Sequence, residues 1–209
     1  NDARDLLEDE HLQQRDFFAT TDNPDLGQSH TDVGPPYRFS ETPTASQRPA
    51  PTLGKHNQEI LDQLEACKPD KTPKTPVVAR RSLPLEGIRV ADFGWMIAGP
   101  ATSRILADFG AEVIKIESQA RLDNIRAVGI QPPGPSTIDT NAVFNDCNTS
   151  KHSITLNMNS PSAIELVKKI VRQSDIVTNN FTPERMPRWG LGYDELRSVK
   201  PDIIMLNMP

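Results

Sequence analysis

Little cysteine, no basic excess and no long apolar run mark this 209-residue chain, and each shortage closes off a class of protein. The two cysteines, Cys67 and Cys147, lie in a Pro/Lys-rich stretch and a polar loop, without the spacing or the histidine neighbours of a metal centre. Reduced, cytoplasmic thiols and no bound metal are expected. The 23 Lys+Arg against 28 Asp+Glu leave a net charge of −5, which gives nucleic acid or an anionic membrane no basic field to bind. No stretch reaches the ~18 apolar residues of a membrane span. The acidic start NDARDLLEDE is not a signal peptide. The partners expected are therefore small molecules or another protein. Asn1 at the start and the uncovered strand-like DIIMLNMP at the end read as cut ends of a longer chain.

Two kinds of sequence follow one another. Residues 1–84 carry ten of the 19 prolines and only short apolar runs, so they cannot form a core alone and must lean on something else. Within them ARDLLEDEHLQQRDFF has the spacing of one amphipathic helix. KHNQEILDQLEA has that of a second, with Ile60, Leu61 and Leu64 on one side. The stretch from Cys67 to Leu83 reads as an extended linker.

After Leu85 the pattern becomes strand, turn, helix, strand. Gly87–Gly94 reads as a buried strand. Gly99-Pro100 places Gly just outside and Pro just inside a helix start. Thr102, Ile105, Leu106 and Phe109 share the apolar face of that helix, Gly110 stops it, and residues 111–118 form the next strand. The pattern repeats with a strand at 153–159, a helix opened by Ser160-Pro161, a strand at 175–181, a short helix in GYDELRSVK and the strand DIIMLNM. Strands alternating with helices predict an α/β domain, doubly wound around a mostly parallel, Rossmann-like sheet, preceded by an irregular Pro-rich segment.

Parallel sheets bind ligands beyond the carboxyl ends of their strands. Three loops converge there: Gly94–Pro100 ahead of a helix start, Asn148–His152 before a strand, and Asn179–Gly190 after one. The first is not a G-x-G-x-x-G fingerprint, which argues against NAD. Lysine and arginine suit phosphates, and an aromatic or apolar wall suits a purine or a pantetheine arm. Singly, Lys151 reads as a surface lysine, Arg188 as a surface or capping arginine and Phe181 as a core residue. Trp95 and Trp189 read as packing residues, and Arg121 and Arg126 as solvated loop charges. Their weight comes from emerging at one sheet edge.

LEGIRVADFGWMIAGPATSRILADFGAEVIKIES, NTSKHSITLNMNSP and DIVTNNFTPERMPRWGLGYDEL, in that order, resemble the N-terminal part of class III CoA transferases, the formyl-CoA and carnitine CoA-transferase group. The resemblance implies coenzyme A contacts for Met96, Ile97 and Ala98 near the nucleotide, Lys151 and Arg188 at phosphates, and Asn180 and Phe181 along the cofactor. Ser118 stands where some members carry a nucleotide-contacting arginine, and Arg126 or Arg121 could take that role. HLQQRDFF, TDNPDLGQ, GPPYRFSETP and RPAPTLGKHNQEIL resemble the C-terminal end of the same family. The implied organisation is a tandem fusion. Residues 1–65 are the tail of one module, 66–84 a linker, and 85–209 the coenzyme A-binding start of a second, so that modules pair within one chain or in the family's interlocked dimer.

The implied reaction moves coenzyme A from an acyl-CoA to a carboxylic acid through a covalent aspartyl intermediate, whose aspartate lies beyond Pro209. Asp92, Asp108, Glu117, Asp123 and Asp194 read as structural or capping groups, so no catalytic residue is nominated. The alternatives are an acyl-CoA racemase or epimerase of the same fold and a non-catalytic coenzyme A-binding half. The Phe93-Gly94-Trp95 start and the run from Glu117 to Arg126 look closer to branches that act on larger aromatic or dicarboxylic acids.

Overall fold

A computed structural model describes residues 2–42, 44, 48–66, 83–128 and 137–209. The linker expected at 66–84 lies, apart from its ends, outside the described residues. Short β-branched and aliphatic runs build the central strands: β3 (Arg89–Asp92), β4 (Glu112–Glu117), β5 (His152–Thr155), β6 (Ile176–Asn179) and β7 (Ile204–Asn207). All pair in parallel, in the order β5-β4-β3-β6-β7, with Val90 opposite Val113 on one side and Ile176 on the other. The chain thus enters at the middle strand, winds outward on one side, returns, and winds outward on the other. This is the doubly wound arrangement, and its switch point lies between β3 and β6. Val90, Ala91, Val113, Ile114 and Val177 are fully buried, as strands covered on both faces require.

Helix α6 (Pro161–Arg172) begins with Pro at its first position, where the missing N–H costs nothing, and buries Ala163, Val167, Ile170 and Val171. Helix α4 (Ala98–Asp108) departs from expectation. It starts one residue before Gly99, and its buried face is Gly99, Pro100, Ser103, Arg104, Ala107 and Asp108; of the expected apolar face Phe109 is buried, while Thr102, Ile105 and Leu106 are only partly buried. Small residues decide this. A methyl group on Gly99 would stand 2.7 Å from the Gly94 Cα, so these glycines let helix and strand end touch, which larger side chains at the apolar positions would prevent. Three short helices within loops carry no apolar period and escape sequence reading: α5 (Ala142–Cys147), α7 (Arg185–Arg188) and a 3₁₀ turn at Asn124–Arg126. Asn141 and Asp123 cap α5 and the 3₁₀ turn. Helix α8 (Tyr193–Val199) precedes β7 as expected.

The N-terminal region differs from its reading in two places. The first helical stretch is broken into α1 (Ala3–Leu7) and α2 (Glu10–Gln14), because Asp9 turns its carboxylate to the Leu12 N–H and restarts the helix. Phe18 and the polar residues after it form a hairpin, β1 (Phe18–Asn23) against β2 (Gln28–Val33), around a turn whose Gly27 has a φ of 61°. FATTDN and QSHTDV lack apolar alternation, which hid the hairpin. Helix α3 (Asn57–Ala66) matches expectation and buries Ile60 in the main core.

This region lies along the β5 edge of the sheet. The His56 N–H donates to the Ser153 carbonyl (3.0 Å), and the Ser153 N–H donates to His56 Nδ1 (3.0 Å). Asn57 clamps Thr155 by accepting its N–H (2.8 Å) and donating to its hydroxyl (2.9 Å). Tyr37 and Phe39 pack on Phe109. An edge strand needs such covering, and here the His56 main chain and the side chains of His56 and Asn57 supply it.

Candidate coenzyme A-binding site

The carboxyl end of β3 is organised by a buried carboxylate. Asp92 Oδ1 accepts the Gly94 N–H and the Thr178 hydroxyl (both 2.8 Å), while Oδ2 accepts the Ser103 hydroxyl (2.6 Å) and Lys151 Nζ (3.1 Å). One side chain so ties β3 to β6, to α4 and to the loop before β5. Burial pushes the Asp92 carboxyl up, but the Lys151 and Lys115 charges and its hydrogen bonds outweigh it and hold the group below the usual carboxylate range. Burial likewise strips water from Lys151 and lowers its ammonium to about 8, against the pull of Asp92.

Three further ion pairs, made by two cations, lie on the β4 side. Lys115 donates to the Gly94 carbonyl (2.7 Å) and to Asp123 (3.0 Å). Arg126 meets Glu117 through Nε (2.9 Å) and Nη2 (2.8 Å), reaches Asp139 (2.6 Å), and lies 3.6 Å from the centre of the Phe144 ring. Burial raises the Glu117 carboxyl, and Arg126 and Lys115 bring it below its ordinary value.

Above this floor the first and third loops are joined. The Trp95 N–H donates to Asn180 Oδ1 (2.7 Å), and Asn180 Nδ2 donates back to the Trp95 carbonyl (2.9 Å). Asn180 also sits within 2.8 Å of where a Gly99 side chain would begin, so Gly99 can only be glycine if this bridge is to form. Met96 takes a φ of 60° with its N–H held by Asp123 Oδ1 (2.9 Å), which turns Met96, Ile97 and Ala98 outward into solvent. An edge-to-face row runs Trp95, Phe181, Trp189 with 5.5 Å between successive ring centres.

The structure therefore brings Met96, Ile97, Ala98, Asn180 and Phe181 together at the switch point. Lys151 and Arg126 are elsewhere. Both are buried with their donors engaged, Lys151 by Asp92, Ser103, Asn148 and the Pro100 carbonyl, so in this arrangement neither is the surface cation that the sequence suggested. The physical reason is the set of acidic and carbonyl partners, which only the fold assembles. Arg188 is exposed and paired with Glu184 (2.6 Å), beside a shallow groove of about 330 Å³ lined by Met158–Pro161 and Trp189. Of the acidic groups, Asp92, Glu117 and Asp123 are bound in ion pairs, Asp108 lies 3.4 Å from Arg104, and Asp194 stands in the first turn of α8.

His56, Glu59 and His152 form a group whose ligand atoms lie within 4.8 Å of one another. His56 Nδ1 already accepts the Ser153 N–H, so the neutral ring carries its proton on Nε2 and has no free lone pair for a metal. Among the described residues, no helix is long and apolar enough to cross a membrane.

Residues 1–57 and 85–209 match the model of CoA-transferase family III. The chain is 33% identical over 177 residues to the succinyl-CoA–L-malate CoA-transferase alpha subunit of Chloroflexus aurantiacus, covering 84% of this chain and 38% of that protein. It is 37% identical over 128 residues to the succinate–glutarate CoA-transferase of Agrobacterium fabrum, covering 59% and 32%. A solved CAIB/BAIF family protein from Brucella suis superposes with a TM-score of 0.54 at 34% identity, over 60% of this chain and 33% of its own. The chain spans about a third of the length of these relatives. With 182 residues matched in two stretches (57 + 125), the chain belongs to CoA-transferase family III.

Proposed function

We propose that this chain supplies the coenzyme A-binding face of an enzyme that moves coenzyme A from an acyl-CoA to a carboxylic acid, with a dicarboxylic acid as acceptor. The observation that carries this reading is the Trp95–Asn180 bridge at the switch point. It fixes an exposed apolar shelf, Met96-Ile97-Ala98, beside Phe181, the kind of wall that a pantetheine arm or purine packs against. The acids in the names of the two relatives, malate, succinate and glutarate, are all dicarboxylic and support the choice of acid.

The buried ions then act beneath the ligand: Asp92 with Lys151 and Glu117 with Arg126 position the loops, while Arg188 at the rim meets phosphate. Asp92, Glu117 and Asp123 are engaged in ion pairs and are not offered as the nucleophile of the covalent aspartyl step. The two separate matched stretches support a tail-plus-head organisation, in which residues 1–65 close one module and residues 85–209 open the next, and the hydrogen bonds from residues 48–57 to the β5 edge fit a docked tail. Calorimetric titration of the full-length protein with coenzyme A tests the site. Asn180→Ala should weaken binding about tenfold while the fold persists, since a lost interloop bridge of two hydrogen bonds is worth about 1–3 kcal/mol. Unchanged affinity would remove the bridge from the site, and absence of labelled coenzyme A exchange with any dicarboxylate would overturn the transferase reading.

A further inference from the structure

Residues 48–57 do more than cover the β5 edge, because two of their contacts end on groups that shape the coenzyme loops. The first is with Ser150. The Ser150 N–H donates to the Arg48 carbonyl (2.9 Å), the Arg48 N–H to the Ser150 hydroxyl (3.2 Å) and Arg48 Nη2 to the Ser150 carbonyl (2.8 Å). Ser150 has a φ of 66°, a left-handed conformation that a residue other than glycine keeps only where its surroundings impose it. Lys151 comes next, with Nζ on Asp92 and on the Pro100 carbonyl at the start of α4. The grip on Ser150 therefore aims the lysine that orders the floor of the site.

The second contact runs through Asp139. Its Oδ1 accepts the Leu53 N–H (3.0 Å) and Arg126 Nη1 (2.6 Å). Arg126 Nε donates to Glu117 Oε1 (2.9 Å), which also accepts the Asp123 N–H (3.3 Å), and Asp123 Oδ1 holds the Met96 N–H. An unbroken series of hydrogen bonds thus joins Leu53 to the apolar shelf. Among the described residues three non-glycine positions have a positive φ, Asp16, Met96 and Ser150. Two of the three lie in the coenzyme loops, and the stretch 48–53 reaches both.

A strained turn has a relaxed alternative, and an element with two arrangements is what coupling between sites requires. We propose that Arg48 and Asp139 are positioning residues of the coenzyme site, so that docking of residues 48–57 and binding of coenzyme A strengthen each other. This deepens the coenzyme A reading of the site and rests on it. Arg48 acts through Ser150 and Lys151, Asp139 acts through Arg126, Glu117 and Asp123, and neither touches the ligand. The effect is reciprocal by thermodynamic necessity: whatever factor docking adds to coenzyme affinity, the coenzyme adds to docking.

The test combines coenzyme A titration of the full-length protein with amide exchange in residues 53–57. Asp139→Ala and Arg48→Met should each weaken coenzyme A binding about fivefold, the low end of coupling between sites. Asp139→Asn, which keeps an oxygen for the Leu53 N–H, should lose less. In the wild type, saturating coenzyme A should slow exchange in residues 53–57 about fivefold, and in Asp139→Ala this slowing should disappear, an outcome that a purely structural role would not produce. An Asp139→Ala affinity within about twofold of wild type would refute the proposal, as would tighter binding, the sign expected if Asp139 instead faced the anionic ligand. If either variant fails to fold, exchange in the wild type decides. Rates in residues 53–57 that ignore bound coenzyme A refute the coupling alone, while a wild type that binds no coenzyme A removes the reading of the site together with it.

Discussion

The N-terminal region and the sheet domain solve the problem of burial in opposite ways. Residues 2–66 contribute two buried hydrophobic residues among those described, Ala50 and Ile60, and Ile60 is buried in the core of the sheet domain rather than in one of its own. What this region owns is polar: a hairpin whose buried face is Thr21, Asn23 and Asp32, and a ladder of hydrogen bonds to Ser150, Ser153 and Thr155. Burial raises the Asp32 carboxyl even with His30 beside it. The sheet domain has apolar strands on both faces and can afford ions inside, at Asp92–Lys151, Lys115–Asp123 and Glu117–Arg126. One region borrows a core, and the other has a core large enough to hold charges in place. Buried pairs cost desolvation and need complete partners, which is why they gather at the carboxyl edge of the sheet, where loops bring donors and acceptors from several elements.

That contrast can be broken from the sheet side first. Lys151→Met removes the counter-charge and leaves Asp92 buried beside Ser103 and Thr178 with no cation in contact, and should cost about 3–5 kcal/mol in chemical denaturation. Adding Asp92→Asn should restore part of that loss, because the uncompensated charge is gone. A Lys151→Met protein as stable as the wild type would show that the pair is not structural.

The borrowed core is probed next. Ile60→Ala should cost about 2–4 kcal/mol and, because Ile60 anchors α3, should raise amide exchange in residues 57–66 more than in β3 or β4. Equal exchange throughout would mean that the two regions unfold as one.

The smallest effect is a pH dependence of the joint. Burial and the neighbouring His152 lower His56 to about 4, and burial also lowers His152. The rings pack 4.5 Å apart, with Arg48 and Lys55 adding positive charge and Glu59 opposing it. A histidine whose folded value lies below its unfolded ~6.5 stays neutral when folded, so its contribution is complete above about pH 6.5 and is lost as pH falls toward 4. Protonation also removes the Nδ1 acceptor of the Ser153 N–H. Exchange at residues 53–57 and 152–155 should therefore rise between pH 6.5 and 4. His56→Asn, whose Oδ1 can accept that N–H without titrating, should flatten the rise. A joint equally protected across that range would exclude the histidine as its weak point.

Much of the sheet domain was legible because its signals are local. The apolar runs at 88–93 and 112–116, the Ser160-Pro161 start and the period of α6 each depend on neighbouring residues, and each yields an element where expected. The hairpin was not legible, since polar strands earn their place from what they cover rather than from alternation. The α4 face was misread for a related reason. Apolar residues mark a buried face only when the packing distance leaves room for them, and here Gly94 and Gly99 set a distance that admits small side chains alone.

At the site, residue types and the convergence of three loops followed from sequence through strand order and the rule that ligands bind beyond strand ends. Roles did not. Lysine and arginine carry the same charge in any sequence, and whether they face a phosphate or a buried carboxylate depends on partners that are distant in the chain: Asp92 lies 59 positions from Lys151, and Asp139 lies 13 from Arg126. The sequence alone determined the family, the alternation of strands and helices, and the three loops that meet. Only the tertiary structure decided which cations are enclosed and which are free, because desolvation and pairing are properties of a place in three dimensions.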